Sequence, residues 1–201
     1  MVSTALQPVS WQRMSDAVAK VRARLLHAAA CLRDAGVPYA VVGGNAVAAW
    51  VSRVDETAVR NTRDVDILLR REDLPRAIGA MERAGYVHRK VAALGGGIME
   101  VFLEGAEAKI RDAIHLLFAD ELVRPDSLAV NASVTEVEDA GEFMLISLPA
   151  LVRMKLAAWR DKDRMHLRDL LEVGLLDGSF IETLPPSLAA RLEWLLAHLD
   201  E

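Results

Sequence analysis

Two short stretches of this chain carry side chains whose types and spacing can do chemistry. Tyr39-Ala-Val-Val-Gly-Gly-Asn-Ala46 reads as a buried strand that runs through a Gly43-Gly44 turn into a helix. Thr62-Arg-Asp-Val-Asp-Ile-Leu-Leu69 reads as a strand carrying Asp64 and Asp66. Side chains two apart in a strand point to one face, so the two carboxylates aim at one point. A glycine turn lets a ligand approach the backbone closely, and the helix behind it presents free N–H groups and a positive end to an anion. Mg²⁺ is a hard cation that prefers carboxylate, phosphate and water oxygens. Asp64 and Asp66 are spaced to hold one or two such ions (Mn²⁺ being the alternative), which would bridge the phosphates of a nucleoside triphosphate. Gly43, Gly44 and Asn45 would hold the phosphates. Asn45 also suits the start of a helix, because its side chain can accept a free backbone N–H.

Each half of this pattern is ordinary by itself. Double glycines are common strand-to-helix turns, and acids at strand ends are commonly solvated. The interval from Gly44 to Asp64 leaves room for one helix and a return to a neighbouring strand, which makes the pair informative together.

The elements that must position these residues follow from periodicity and punctuation. Val18, Val21, Leu25, Ala29 and Leu32 recur at three and four, predicting an amphipathic helix from about Ser10 to Ala35, ended by Gly36 and Pro38. Tyr39–Val42 is a strand, and the helix after the glycines runs from Asn45 to about Val51. Ser52–Asn61 is polar loop, and Val65–Leu69 a strand. Glu72–Gly85 has acids and Pro75 in its first turn and a glycine at its end, a well-punctuated helix. Further strands are expected at 86–90, 98–103 and 113–119, with a flexible Gly95-Gly96-Gly97 turn. The stretch 125–142 has no clear pattern, and Phe143–Ser147 fits a short edge strand. Leu148-Pro149 opens a helix to Trp159. The charged run Arg160-Asp-Lys-Asp-Arg164 interrupts it or is carried through it, and helix resumes from His166 to Val173. Pro185-Pro186 starts a last helix with Leu188, Leu192, Leu195, Leu196 and Leu199 on one face. This order predicts an α+β protein: a small mixed sheet flanked by helices over residues 1–147, with a helical C-terminal part over 148–201 packed on that core.

Composition narrows the classes. The 201 residues are 52% hydrophobic and 26% charged, normal for a globular chain, and the net charge of −5 supplies no global basic field for nucleic acid. Local arginines, at 60, 63, 70 and 71 and again from 160 to 168, form either solvated surface or a local patch. The single cysteine, Cys31, lies in the apolar run 28–32 and reads as a small core side chain. The start of the chain has no basic region followed by an apolar core, and no run approaches the roughly 18 apolar residues of a membrane span. A cytoplasmic protein without membrane contact is expected.

A strand, Gly-Gly, a helix, then a strand bearing Asp-x-Asp resembles the nucleotidyltransferase superfamily with the polymerase-beta-like fold. Arg63-Asp-Val-Asp-Ile-Leu-Leu69, Leu151-Val-Arg-Met-Lys155 and Arg160-Asp-Lys-Asp163 are similar to the minimal nucleotidyltransferases and the AbiEii-type toxins. The resemblance covers roughly residues 20–175. It implies Mg²⁺-dependent transfer of a nucleoside monophosphate from a triphosphate to the hydroxyl of an RNA, a protein or a small molecule. It also implies roles: Gly43 and Gly44 form the phosphate turn, Asn45 stands where a serine or other small polar residue is usual, and Asp64 and Asp66 bind metal. Lys155 is a basic residue near the nucleotide and Asp163 an acid a little further on.

One departure stands out. The family commonly has a third carboxylate on a later strand, and the aligned position in Ala113-Ile-His-Leu-Leu-Phe118 is His115. Asp112 lies three residues earlier, on the opposite face of a regular strand. Either His115 acts as base or ligand, since neutral imidazole does both near pH 7, or the catalytic set is incomplete and the protein binds nucleotide without turning it over. An RNA-directed toxin and an antibiotic-modifying transferase are further alternatives. If the C-terminal helix is continuous, Lys155, Asp163 and His166 share a face, either solvated or forming a second wall of the cleft with Asp163 or Asp169 near the acceptor. Glu100 and Glu104 read as edge-strand charges, and Trp50, Trp159 and Trp194 as packing.

Overall fold

A computed structural model describes residues 8–92, 97–123 and 127–199. The stretch Met1–Gln7, Gly95 and Gly96 of the glycine turn, and Pro125 lie outside the described residues. Helix α1 (Trp11–Asp34) starts at Ser10, whose hydroxyl accepts the Arg13 N–H, and closes at Gly36 with φ of 61°. Its first ten residues are exposed. The buried face takes over at Leu25, Ala28, Ala29 and Leu32.

The chain continues through β1 (Tyr39–Val42), α2 (Gly43–Ser52), β2 (Val65–Leu69), α3 (Leu74–Arg83), β3 (Val87–Ala92), β4 (Ile98–Leu103), β5 (Ile114–Phe118), β6 (Val137–Asp139), β7 (Met144–Ile146), α4 (Leu148–Ala158), α5 (Asp161–Glu172) and α6 (Pro186–Ala197). The strands form one seven-stranded mixed sheet in the order β3-β4-β5-β2-β1-β7-β6. β1 runs antiparallel to β2 and parallel to β7, and β2 runs parallel to β5.

Both faces of the central strands are covered, which is why β1 and most of β2 read as unbroken apolar runs. Alternate residues go to opposite cores. Tyr39, Val41, Val65, Ile67 and Leu69 pack with α1 and α3, through Leu25, Leu32, Ala77 and Met81. Ala40, Val42 and Leu68 pack with α2, α4, α5 and α6, through Val47, Leu151, Leu156, Leu167, Leu170 and Leu192. Each fully buried aliphatic side chain contributes about 1.5–3 kcal/mol. This alternation puts Asp64, Asp66 and Leu68 on the face toward α2 and α5.

Three expectations need correction. The strand at 143–147 is not an edge: β6, a three-residue strand within the unpatterned stretch, pairs outside it and takes the edge. Glu100 is not an edge charge either, because β4 lies between β3 and β5. It is buried, with His88 Nε2 at 2.8 Å and Arg71 Nη1 at 3.3 Å, while Glu104 takes Arg24 at 3.0 Å. Finally, helix α2 begins at Gly43, two residues ahead of Asn45, and its N-cap is Val42, with no side-chain capping bond.

The C-terminal helix is not continuous. Trp159 takes a left-handed conformation (φ 52°), donates its N–H to Lys155 O at 3.0 Å, and turns the chain into α5. That turn, not a shared helical face, brings Lys155 and Asp163 together. Asp163 is fully buried. It accepts Lys155 Nζ at 3.1 Å and Arg160 Nε at 2.6 Å, and caps the start of α5 through the Arg160 N–H at 3.3 Å. Burial works to raise the Asp163 pKa, but the Arg160 hydrogen bonds and the Lys155 charge outweigh it and leave the carboxyl below its ordinary value. Burial lowers Lys155 against the pull of Asp163. Removing one member of a buried charge pair costs about 3–5 kcal/mol, because the other is left uncompensated. Asp163→Ala should lose stability on that scale in urea denaturation, and the apolar double variant Lys155→Met, Asp163→Leu should recover most of it. An Asp163→Ala protein within about 1 kcal/mol of the parent would mean this junction does not hold α4 and α5 together.

Candidate active site

The site forms where the end of β1, the first turn of α2 and the entry to β2 meet. Gly43 has φ of 69°, a conformation that costs an L-residue about 1–2 kcal/mol. More decisive is what lies against it. A Cβ on Gly43 would fall 2.0 Å from Asp66 Oδ2 and 2.7 Å from its Cγ. The Asp66 carboxylate therefore rests on the bare Cα of the turn, in register with Val42 on the neighbouring strand. Asn45 donates its side-chain Nδ2 to the backbone O of Asp64 at 2.7 Å, tying α2 to the residue that leads into β2. The Asn45 amide is thus used on Asp64 rather than as a helix cap. With no side-chain cap, the N–H groups that open α2 are left for an anion.

His115 lies directly across from Asp66 in the parallel β2–β5 pair, and its Nδ1 is 3.4 Å from Asp66 Oδ1. The contact with Asp66 raises the His115 pKa. Burial works the other way, Asp64 adds to the rise and Lys162 opposes it. Asp112 falls in a short 3-10 turn before β5, outside the strand.

Helix α5 forms a second wall. Lys162, half exposed, places Nζ 3.9 Å from Asp64 Oδ2. Asp169 is buried and accepts Arg60 Nε at 2.6 Å, so the loop leading to Asp64 is strapped to α5. Among the described residues, the other Asp169 oxygen is buried with no hydrogen-bond partner, as is His166 Nδ1. Burial, and then the Lys155 charge, push the His166 pKa down to about 4, so its ring is neutral. Lys155 is only 5% exposed and its ammonium is on Asp163. Trp50 donates Nε1 to Ile146 O at 3.0 Å, and Trp159 packs edge-on to Trp194.

No protein-family model matches the chain, and no curated protein does. Solved structures do. The antibiotic-resistance factor ANT(2'')-Ia in solution is 17% identical, with a TM-score of 0.50 over 93% of this chain and 97% of that one. ANT(2'')-Ia in complex with adenylyl-2''-tobramycin is 16% identical, with a TM-score of 0.51 over 88% of this chain and 98% of that one. An antigenic nucleotidyltransferase-like protein from Paracoccidioides brasiliensis is 17% identical, with a TM-score of 0.50 over 90% and 87% of the two chains. The fold is that of the nucleotidyltransferases. Among the described residues, no helix is long and apolar enough to cross a membrane.

Within this nucleotidyltransferase fold, the described residues hold no group of three or more His, Cys, Asp or Glu side chains placed to bind a metal by themselves. Mg²⁺ is usually held by one or two carboxylates together with substrate phosphates and water. A pair of carboxylates beside an uncapped helix start fits that kind of site. The resemblance implies Lys155 as the basic residue near the nucleotide and gives Lys162 no role. The structure puts Lys162 nearer to Asp64, and the only sequence signal for it was its place in the Arg160–Arg164 charge run.

Two outcomes test this geometry. Gly43→Ala should lose at least about 1–2 kcal/mol, because the methyl must displace Asp66 and adopt a left-handed backbone; unchanged thermal stability would contradict the close approach. In metal-free protein, NMR should show His115 titrating above its ordinary value of 6.5, and Asp66→Asn should bring it down. With a folded pKa above the unfolded one, the stabilisation from the pair is fully present below about pH 6.5 and is lost as pH rises through the folded value. The melting difference between the parent and His115→Gln should therefore shrink on going to alkaline pH.

Proposed function

We propose that this protein is an Mg²⁺-dependent nucleotidyltransferase that moves a nucleoside monophosphate from a triphosphate to an acceptor hydroxyl. The observation that carries the reading is the Asp66 carboxylate lying on the bare Cα of Gly43, at the uncapped start of α2 and beside Asp64. In this reading Asp64 and Asp66 hold the metal, which when bound would neutralise charge developing on the phosphates. The N–H groups of the α2 first turn bind the triphosphate, and Lys162 moves from Asp64 onto its oxygens. The acceptor oxygen attacks the α-phosphorus in line. A new P–O bond forms, the bond to the β-phosphate oxygen breaks, and pyrophosphate leaves with the bonding pair. In this reading His115, across from Asp66, would take the hydroxyl proton. ANT(2'')-Ia, in complex with adenylyl-2''-tobramycin, is a protein of this fold bound to a nucleotidylated acceptor.

A second reading has a specific observation behind it. Contact with Asp66 favours the protonated form of His115, and an imidazolium is no base. In that reading the protein binds nucleotide and does not transfer it. One assay separates the two. The protein is incubated with each α-labelled nucleoside triphosphate, Mg²⁺ or Mn²⁺, and a cell extract as the acceptor source. The parent should transfer label, and Asp64→Ala should fall by about a hundredfold or more. Equal label from both proteins rejects the site. Tight calorimetric binding of a Mg-nucleotide with no transferred label selects the binding-only reading.

A further inference from the structure

Asn45 spends its amide on Asp64, and the residues around it at the opening of α2 are Gly43, Gly44 and Ala46. The first turn of this helix therefore brings no free side-chain donor to a triphosphate. A donor reaches it from the segment that leads into β2. Residues 62, 64 and 66 line the turn. Each meets the turn in order: Asp66 lies on Gly43, the Asp64 carbonyl takes Asn45, and Thr62 lies on Gly44. A Cβ on Gly44 would fall 2.9 Å from Thr62 Oγ1 and 3.0 Å from Thr62 Cβ. The absent side chain of Gly44 thus leaves the space into which the Thr62 hydroxyl projects. That hydroxyl has no hydrogen-bond partner within the described residues, and Thr62 is only partly buried. A half-buried hydroxyl with no protein partner among the described residues, beside uncapped helix N–H groups, is free to donate to an anion bound there.

We propose that the Thr62 hydroxyl is a substrate contact of this site, donating to a phosphate oxygen of the bound triphosphate across Gly44. The proposal rests on the nucleotidyltransferase reading of the site and adds a residue to it. It treats Gly44 and Thr62 as one unit, with the glycine giving the room and the threonine the donor. A charge-assisted hydrogen bond to phosphate contributes about tenfold or more in binding.

The test is calorimetry and kinetics on the full-length protein with each of the four Mg-nucleoside triphosphates and the matching nucleosides. Thr62→Val keeps the shape and removes the hydroxyl. It should raise Kd and KM for the triphosphate about tenfold, leave nucleoside affinity unchanged and leave the melting temperature near the parent's. Thr62→Ser should restore binding. The double variant Gly44→Ser, Thr62→Gly delivers a hydroxyl to the same space from the helix side and should bind better than Thr62→Gly alone, which a purely structural role for Thr62 does not require. Parent-like triphosphate binding by Thr62→Val, or equal loss for triphosphate and nucleoside, overturns the assignment. If that happens while Asp64→Ala abolishes transfer, the site reading stands and only Thr62 falls. If no triphosphate binds to the parent, both fall.

Discussion

The Asp66 carboxylate and the Gly43 Cα occupy adjoining space that a single methyl would overfill. Much else in the molecule can be seen as what is required to keep them there. Asp66 must sit on a central strand, so β2 is gripped by β1 on one side and β5 on the other. Gly43 must follow β1 directly and start a helix without a cap, so α2 packs its Ala46, Val47 and Val51 into the core as anchorage. The interaction is short-range and steric, and a shift of an ångström would abolish it. That is why it is built from the most buried strands rather than from a loop.

The second wall is held by a different kind of force. Three charges, on Lys155, Arg160 and Asp163, gather around the turn at Trp159 with the carboxylate fully buried. Such a group is costly to bury and rarely adds net stability over an apolar core, but it is demanding about geometry. Here the geometry it demands is the break between α4 and α5. Lys162, in the first turn after that break, lies 3.9 Å from Asp64. Arg60 on Asp169 fastens the same helix to the loop from the other side. The cleft thus has one wall fixed by packing and one fixed by charge.

The strands and helices next to the glycines and the aspartates were legible in the sequence because their signals are local. Unbroken apolar runs mark strands buried on both faces, and glycine and proline mark helix ends. The face shared by Asp64 and Asp66 follows from strand periodicity, and the alignment of His115 with the diaspartate strand from the resemblance. What escaped depends on contacts far apart in the chain. β6 is three residues long and has no alternation to read. The start of α2 moved two residues because the demand on Asn45 comes from the Asp64 carbonyl, not from its own helix. Glu100 looks like an edge charge until β3 is laid beside it. Lys155 and Asp163 would share a face of a straight helix, and no periodicity reveals a left-handed tryptophan between them.

Asp64 is pinned at its carbonyl by Asn45, while its carboxylate is paired, among the described residues, only with the end of a flexible lysine 3.9 Å away. Main chain and side chain of one residue therefore have opposite freedoms. The pivot is stationary and the arm can swivel about χ1 without disturbing the sheet. Asp66, boxed between Gly43 and His115, has no such latitude. On the metal-binding reading proposed above, an incoming ion would meet one rigid partner and one compliant partner, and a side-chain rotation of Asp64 would let the pair adjust to its radius.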